Sequence, residues 1–134
     1  MSEYSKVTPE IVEQIKAVVA PNRVYTGADI NEDFSHDEMS IYGKAMPELV
    51  VDAVSTEEIA ATMKIAYDNN IPVTARGAGT GLVGACVPIA GGIVINTTKM
   101  NKILEYDLNN FVVKVQCGVL LNDLADVCVS TGVM

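Results

Sequence analysis

The chain has 134 residues, 49% of them hydrophobic and 19% charged, with a formal net charge of −8. That length holds one core, and so apolar a composition excludes a disordered segment. Seventeen acidic against nine basic side chains leave no basic field for nucleic acid or anionic lipid, although backbone amides and one cation can still hold a phosphate locally.

Thr8-Pro9-Glu10 reads as an N-cap, a proline at the first helical position and an acid near the positive helix end. Ile11, Val12, Ile15, Val18 and Val19 then share one face, which predicts a helix stopped at Pro21. Residues 24–47 are mixed in charge and read as loop-rich, with Val24-Tyr25-Thr26 as a short strand. Leu49 to Val54 is strand-like, and Ser55-x-x-Glu58 is a capping box opening a helix whose apolar stripe is Ile59, Met63, Ala66 and Tyr67. The helix runs out at Asn69-Asn70 and Ile71 to Ala75 supplies another strand, completing a βαβ unit with the expected right-handed crossover.

Gly92-Ile93-Val94-Ile95 reads as a buried strand. Ile103 to Asp107 and Val112 to Cys117 flank Asn109-Asn110 as a hairpin, giving a sheet of mixed direction. Leu120, Leu121, Leu124, Val127 and Cys128 mark a last helix ending at Gly132, and the chain stops at Met134 where another strand would start, as if cut.

Between the third and fourth strands, Thr74 to Ala85 holds Gly77, Gly79, Gly81 and Gly84. Glycine costs about 0.5 to 1 kcal/mol in regular structure, so such a cluster is expected only where φ is positive or something approaches the backbone closely. Gly79-x-Gly81-x-x-Gly84 matches the Rossmann fingerprint, and Glu105 falls near the offset of its ribose-binding acid. Yet Pro88 and Gly91-Gly92 break the segment before a crossover helix could form. A P-loop is disfavoured too, because Ala85-Cys86 stands where Lys and Ser or Thr are required. The remaining reading is a phosphate loop with Arg76 as the charge, Thr80 as a hydroxyl donor and glycine amides between, which suits a dinucleotide pyrophosphate.

Ile71-Pro72-Val73, Arg76-Gly77-x-Gly79-Thr80-Gly81, Gly84, Pro88 and Gly91-Gly92-Ile93-Val94 together resemble the FAD-binding domain of the vanillyl-alcohol oxidase superfamily, on the branch of glycolate oxidase and the FAD-linked D-lactate dehydrogenases. The likeness continues through Met100 to Glu105 and Val115 to Val119, and covers about Val24 to Met134. It implies an α+β, α/β-like fold of the PCMH type: residues 1–46 as a helical and loop-rich leader, and 47–134 as the N-terminal part of the FAD-binding domain, without its C-terminal part or a substrate cap. By the same resemblance, Arg76, Gly77, Ala78, Gly79, Thr80 and Gly81 wrap the FAD pyrophosphate. Gly84 and Ala85 continue towards the ribityl and flavin end, and Gly118 sits at a second glycine turn beside the cofactor. The parent enzyme would move hydride from C2 of a small 2-hydroxy acid to FAD and pass electrons to a second acceptor, which in some relatives is an electron-transfer flavoprotein or an iron–sulfur subunit. Catalytic residues are expected outside this segment, so the segment alone should bind FAD weakly or not at all and turn over neither lactate nor glycolate. A non-catalytic nucleotide-binding or partner-binding module would show the same loop.

Cys86, Cys117 and Cys128 contain no C-x-x-C, and His36 is the one histidine, so no metal site is expected. Cys86 and Cys117 stand where relatives often carry a small or nonsulfur residue and receive no role. Cys117 and Cys128 read as small core residues, Met63 and Met100 as packing residues and His36 as a surface or loop histidine. Asp29, Glu32, Asp33, Asp37 and Glu38 read as a solvated charge run. The polar start, an odd cysteine count and the lack of an ~18-residue apolar run point to a cytoplasmic protein with no transmembrane segment.

Overall fold

The computed structural model describes residues 4–39, 41 and 43–132. In chain order the elements are α1 (Pro9–Val18), β1 (Val24–Thr26), β2 (Leu49–Asp52), α2 (Thr56–Asp68), β3 (Val73–Arg76), β4 (Ile93–Asn96), β5 (Ile103–Asp107), β6 (Val112–Val115) and α3 (Leu121–Thr131), with short 3₁₀ turns between β1 and β2. The strand expected beyond Gly132 lies outside the described residues.

α1 starts where expected and ends at Val18, short of Pro21. Thr8 stands at the N-cap but does not cap through its side chain. Its hydroxyl serves the Glu10 carboxylate instead and holds that acid below its ordinary range. α2 is capped by Ser55, whose Oγ accepts the Glu58 N–H at 3.2 Å. The return half of the capping box is replaced: the Glu58 carboxylate accepts from the Val54 N–H at 3.0 Å and takes the Arg23 guanidinium in two bonds of 2.7 and 2.5 Å.

The main sheet has the order β1-β2-β4-β3. β1 is antiparallel to β2, whereas β2 and β3 both run parallel to β4. The strand–helix–strand unit is therefore present but split, with β4 wedged between its two strands. Hydrophobicity explains the choice of centre: every residue of β2 and β4 is buried, whereas β3 is only partly so. Strands covered on both faces need such continuous apolar runs. β5 and β6 form a separate antiparallel hairpin, joined through the expected turn, where Asp107 accepts from both the N–H and the side-chain amide of Asn110.

Alternation along the strands divides the core in two. Leu49, Val51, Ile93 and Ile95 pack on one face with Ile11, Ile15 and Val19 of the first helical segment and Ala66 of α2. Val50 and Val94 face the other way, onto Ile30, Tyr25 and Phe34. Each fully buried aliphatic side chain contributes about 1.5 to 3 kcal/mol, so this sheet dominates the stability. The residues before position 47 share both clusters: α1 covers one face, Ile30 and Phe34, in and beside the 3₁₀ turns, cover the other, and β1 sends Val24 to the first and Tyr25 to the second.

Three packing expectations are corrected. The inward face of α2 is Thr62 and Ala66, flanked by Ile59 and Ile65. Met63 and Tyr67 point outward, Tyr67 at 86% exposure. The apolar stripe misplaces the face by part of a turn because a polar residue, Thr62, takes a core position. Cys117 is exposed and Cys128 only half-buried, so neither is a core residue, while Met100 is one.

Candidate cofactor site

Parallel strands β2, β4 and β3 end in one register row, Asp52, Asn96 and Arg76. All three lie on the face that carries Val50 and Val94, since paired residues of parallel strands share a side. Carboxyl ends of parallel strands are where open α/β sheets bind ligands. Here the first two residues satisfy each other: Asn96 Nδ2 donates to Asp52 Oδ1 at 2.7 Å, and Tyr25 Oη donates to Asp52 Oδ2 at 3.2 Å. Lys99 Nζ lies 3.6 Å from that same oxygen, and Arg23 Nη1 donates to the Asp52 carbonyl at 2.8 Å.

From Arg76 the chain leaves the sheet and returns to the start of β4 without a helix, as the break at Pro88 and Gly91-Gly92 required. The return is anchored at its base, where the Gly92 carbonyl accepts from Glu48 N at 2.8 Å and Ile93 N donates to the Pro72 carbonyl at 2.9 Å. At its upper end, Thr97 donates to the Arg76 carbonyl from its N–H at 2.9 Å and from Oγ1 at 3.3 Å.

Of the expected site residues, Gly77, Ala78, Gly79, Thr80 and Gly81 form one continuous stretch, half-buried to exposed. Among the described residues, none of the main-chain N–H groups from Gly77 to Val83 donates to a protein acceptor. Such a run of main-chain donors in one loop suits an anion with several oxygens. The Gly84 N–H differs, because it donates to Asp37 Oδ2 at 2.7 Å. Ala85 follows and is exposed.

Arg76 turns one edge of its guanidinium inward, which the phosphate-loop reading does not anticipate. The residue is 9% exposed, and its Nη1 donates to the His36 carbonyl at 2.7 Å and reaches Cys86 Sγ at 3.4 Å. The guanidinium stacks 5.5 Å from the centre of the Phe34 ring. Its other edge fills the place a Cβ on Gly79 would take, and Gly79 has φ +79°. Arg76 therefore braces the loop from beneath. A polar hollow of ≈ 250 Å³ opens beside it, lined by His36, Asp37, Arg76 and Gly79 among others.

Gly118 meets the segment that follows β4. Its N–H donates to the Met100 carbonyl at 2.9 Å, and a Cβ there would run into the Thr97 carbonyl. Thr97 is the residue that holds the Arg76 carbonyl, so the second glycine turn and the loop meet through one residue.

Sequence reasoning missed Asp37. Within the acidic run, Asp29, Glu32, Asp33 and Glu38 are exposed as expected, but Asp37 is 5% exposed and tied to the loop. No spacing signal distinguishes it from its neighbours. His36 acts through its backbone, and its Nδ1 sits 3.1 Å from Ser35 Oγ. Among the described residues no cluster of His, Cys, Asp and Glu could hold a metal ion.

Fold and loop together define a mixed α+β domain whose glycine-rich crossover leaves the carboxyl end of β3 and returns to the start of β4. The chain belongs to the FAD binding domain family, whose profile matches residues 47–134. It is 63% identical over 123 residues to a D-lactate dehydrogenase of Anaerostipes hadrus, a match covering 92% of this chain and 26% of that protein. To glycolate oxidase subunit GlcD of Bacillus subtilis it is 32% identical over 126 residues, covering 94% and 27%. This is the branch that the loop motifs indicated. Among solved structures, p-cresol methylhydroxylase superposes with a TM-score of 0.81 at 21% identity, covering 97% of this chain and 27% of that one. Alkyldihydroxyacetonephosphate synthase gives 0.80 at 23%, covering 98% and 26%. Those two show the shared fold. The chain spans about a quarter of the length of the curated relatives it matches. No helix among the described residues is long and apolar enough to cross a membrane.

Proposed function

We propose that this segment holds the pyrophosphate of FAD in an enzyme that oxidises a small 2-hydroxy acid. One observation carries the reading: among the described residues, the main-chain N–H groups from Gly77 to Val83 stand without protein acceptors at the carboxyl end of a parallel strand. Neutral amides and the Thr80 hydroxyl make a donor set that fits a diphosphate, and they do so despite the acidic net charge because the field is local. Gly77, Ala78, Gly79, Thr80 and Gly81 would bind it directly. Arg76 holds the loop's shape, and Gly118 brings the following turn up against Thr97.

When bound, the flavin would supply the redox chemistry by accepting hydride from the substrate carbon. The residues present here bind and orient. Substrate class is supported by 63% identity to a D-lactate dehydrogenase and by the glycolate oxidase relative. Electrons must leave to a second acceptor, which in some relatives is an electron-transfer flavoprotein or an iron–sulfur subunit. Three free cysteines suit a reducing, cytoplasmic setting.

The test is a thermal-shift comparison on the full-length polypeptide with FAD, FMN, NAD and ATP, followed by turnover of D-lactate, glycolate and 2-hydroxyglutarate. FAD alone should raise the melting temperature, by RT ln(1 + [L]/Kd) in free energy. Equal shifts with ATP or NAD, or none with FAD, would sink the assignment.

A further inference from the structure

The family match begins at residue 47, yet two hydrogen bonds that fix the glycine loop come from the segment before it. Arg76 Nη1 donates to the His36 carbonyl at 2.7 Å. One residue on, the Asp37 carboxylate accepts from two amides, Met39 N on Oδ1 at 2.9 Å and Gly84 N on Oδ2 at 2.7 Å. A carboxylate taken out of water needs such partners, and bonds to a charged acceptor are stronger than neutral ones. Asp37 is thus tied to its own turn by one oxygen and to the loop by the other. Phe34, beneath the Arg76 guanidinium, packs against Val50 and Val94 and so grounds the same segment on the sheet.

We infer that Asp37 is a positioning residue for the cofactor loop. It pins Gly84, at the downstream end of the stretch from Gly77 to Val83 whose amides have no acceptor among the described residues, while Arg76 and the His36 carbonyl pin the upstream end. The loop is held open between two fixed points, and its shape before ligand arrives is set from outside the matched domain. This inference rests on the flavin reading of the loop. A contrary role has the same contact: a carboxylate on a loop amide could instead compete with the incoming phosphates. The two roles differ in sign.

The experiment uses the full-length polypeptide and the variants Asp37→Ala and Asp37→Asn, with FAD titrated by flavin fluorescence and backbone amides followed by hydrogen exchange. Losing a charge-assisted bond at the loop should weaken FAD binding by roughly tenfold in Asp37→Ala, with Asp37→Asn, which keeps one acceptor, falling between. Exchange at the Gly84 amide should accelerate while amides of Leu49–Asp52 and Ile93–Asn96 keep their protection. FAD affinity unchanged or tighter in either variant overturns the inference, as does unchanged protection at Gly84. If Asp37→Ala loses protection across the sheet, Asp37→Asn decides the matter by the same criteria. If the wild-type protein takes no FAD, the flavin reading fails by itself, and exchange at Gly84 still decides whether Asp37 holds the loop.

Discussion

The guanidinium of Arg76 occupies the space into which any side chain at residue 79 would have to project. Gly79 also sits at φ +79°, where a Cβ is strained whatever the space. Gly79→Ala should therefore push Arg76 off Phe34 and away from the His36 carbonyl. Chemical denaturation should show a loss of about 1 to 3 kcal/mol, accompanied by weaker FAD binding. A variant as stable as the parent would mean that the loop does not lean on Arg76.

Gly118→Ala should be worse tolerated, because what its Cβ would strike is the Thr97 carbonyl and not a side chain that can swing aside. Backbone must move, and overpacking of that kind costs about 1 to 3 kcal/mol or more. The damage should concentrate where the segment leading into α3 approaches the end of β4. Hydrogen exchange at Gly118, whose N–H donates to the Met100 carbonyl, is the local readout.

Thr62 offers a route to a more stable protein. It is fully buried in α2 and its Oγ1 has no hydrogen-bond partner among the described residues. Replacing the hydroxyl by a methyl group removes an unsatisfied polar atom while keeping the shape, so Thr62→Val should raise stability by about 1 to 2 kcal/mol. A melting temperature at or below that of the parent would show the hydroxyl to be satisfied in solution.

The Arg23–Glu58 pair gives a pH dependence with a defined sign. Its bonds to Arg23, and to the Val54 N–H, hold the Glu58 carboxyl below its ordinary value of 4.5 against the opposing effect of burial. A carboxylate whose folded value is depressed stabilises the fold fully above the unfolded value and loses that contribution as pH falls through the folded one. Acid titration below pH 4.5 should thus show a decline that Glu58→Gln flattens. Arg23→Ala, which leaves Glu58 without its cation at 15% side-chain exposure, should destabilise the protein at neutral pH by about 1 to 3 kcal/mol.

Patterns confined to one segment are readable in the sequence. The apolar runs Leu49–Asp52 and Ile93–Asn96 announce buried strands, Ser55 announces a helix start, and the glycine density after Ala75 announces the loop. What escapes is set by partners far along the chain. Nothing local says that β4 enters between β2 and β3, because that choice depends on which strand has both faces to bury. Asp37 looks like Asp33 or Glu38 in the sequence and differs only by meeting Gly84 across the fold. Arg76 reads as a cation for phosphate because charge is visible in a sequence, whereas the Phe34 ring and the His36 carbonyl that draw it inward are not.

The wedged position of β4 also orders events in time. Both parallel ladders use Ile93–Asn96, so neither can zip until the chain has travelled past the glycines and come back. Closing that excursion costs entropy before any ladder bond offsets it. The two parallel ladders and the glycine loop they frame are consequently closed in the same step, and a newly made chain that has not yet returned through residue 93 has only the β1–β2 pairing available to it.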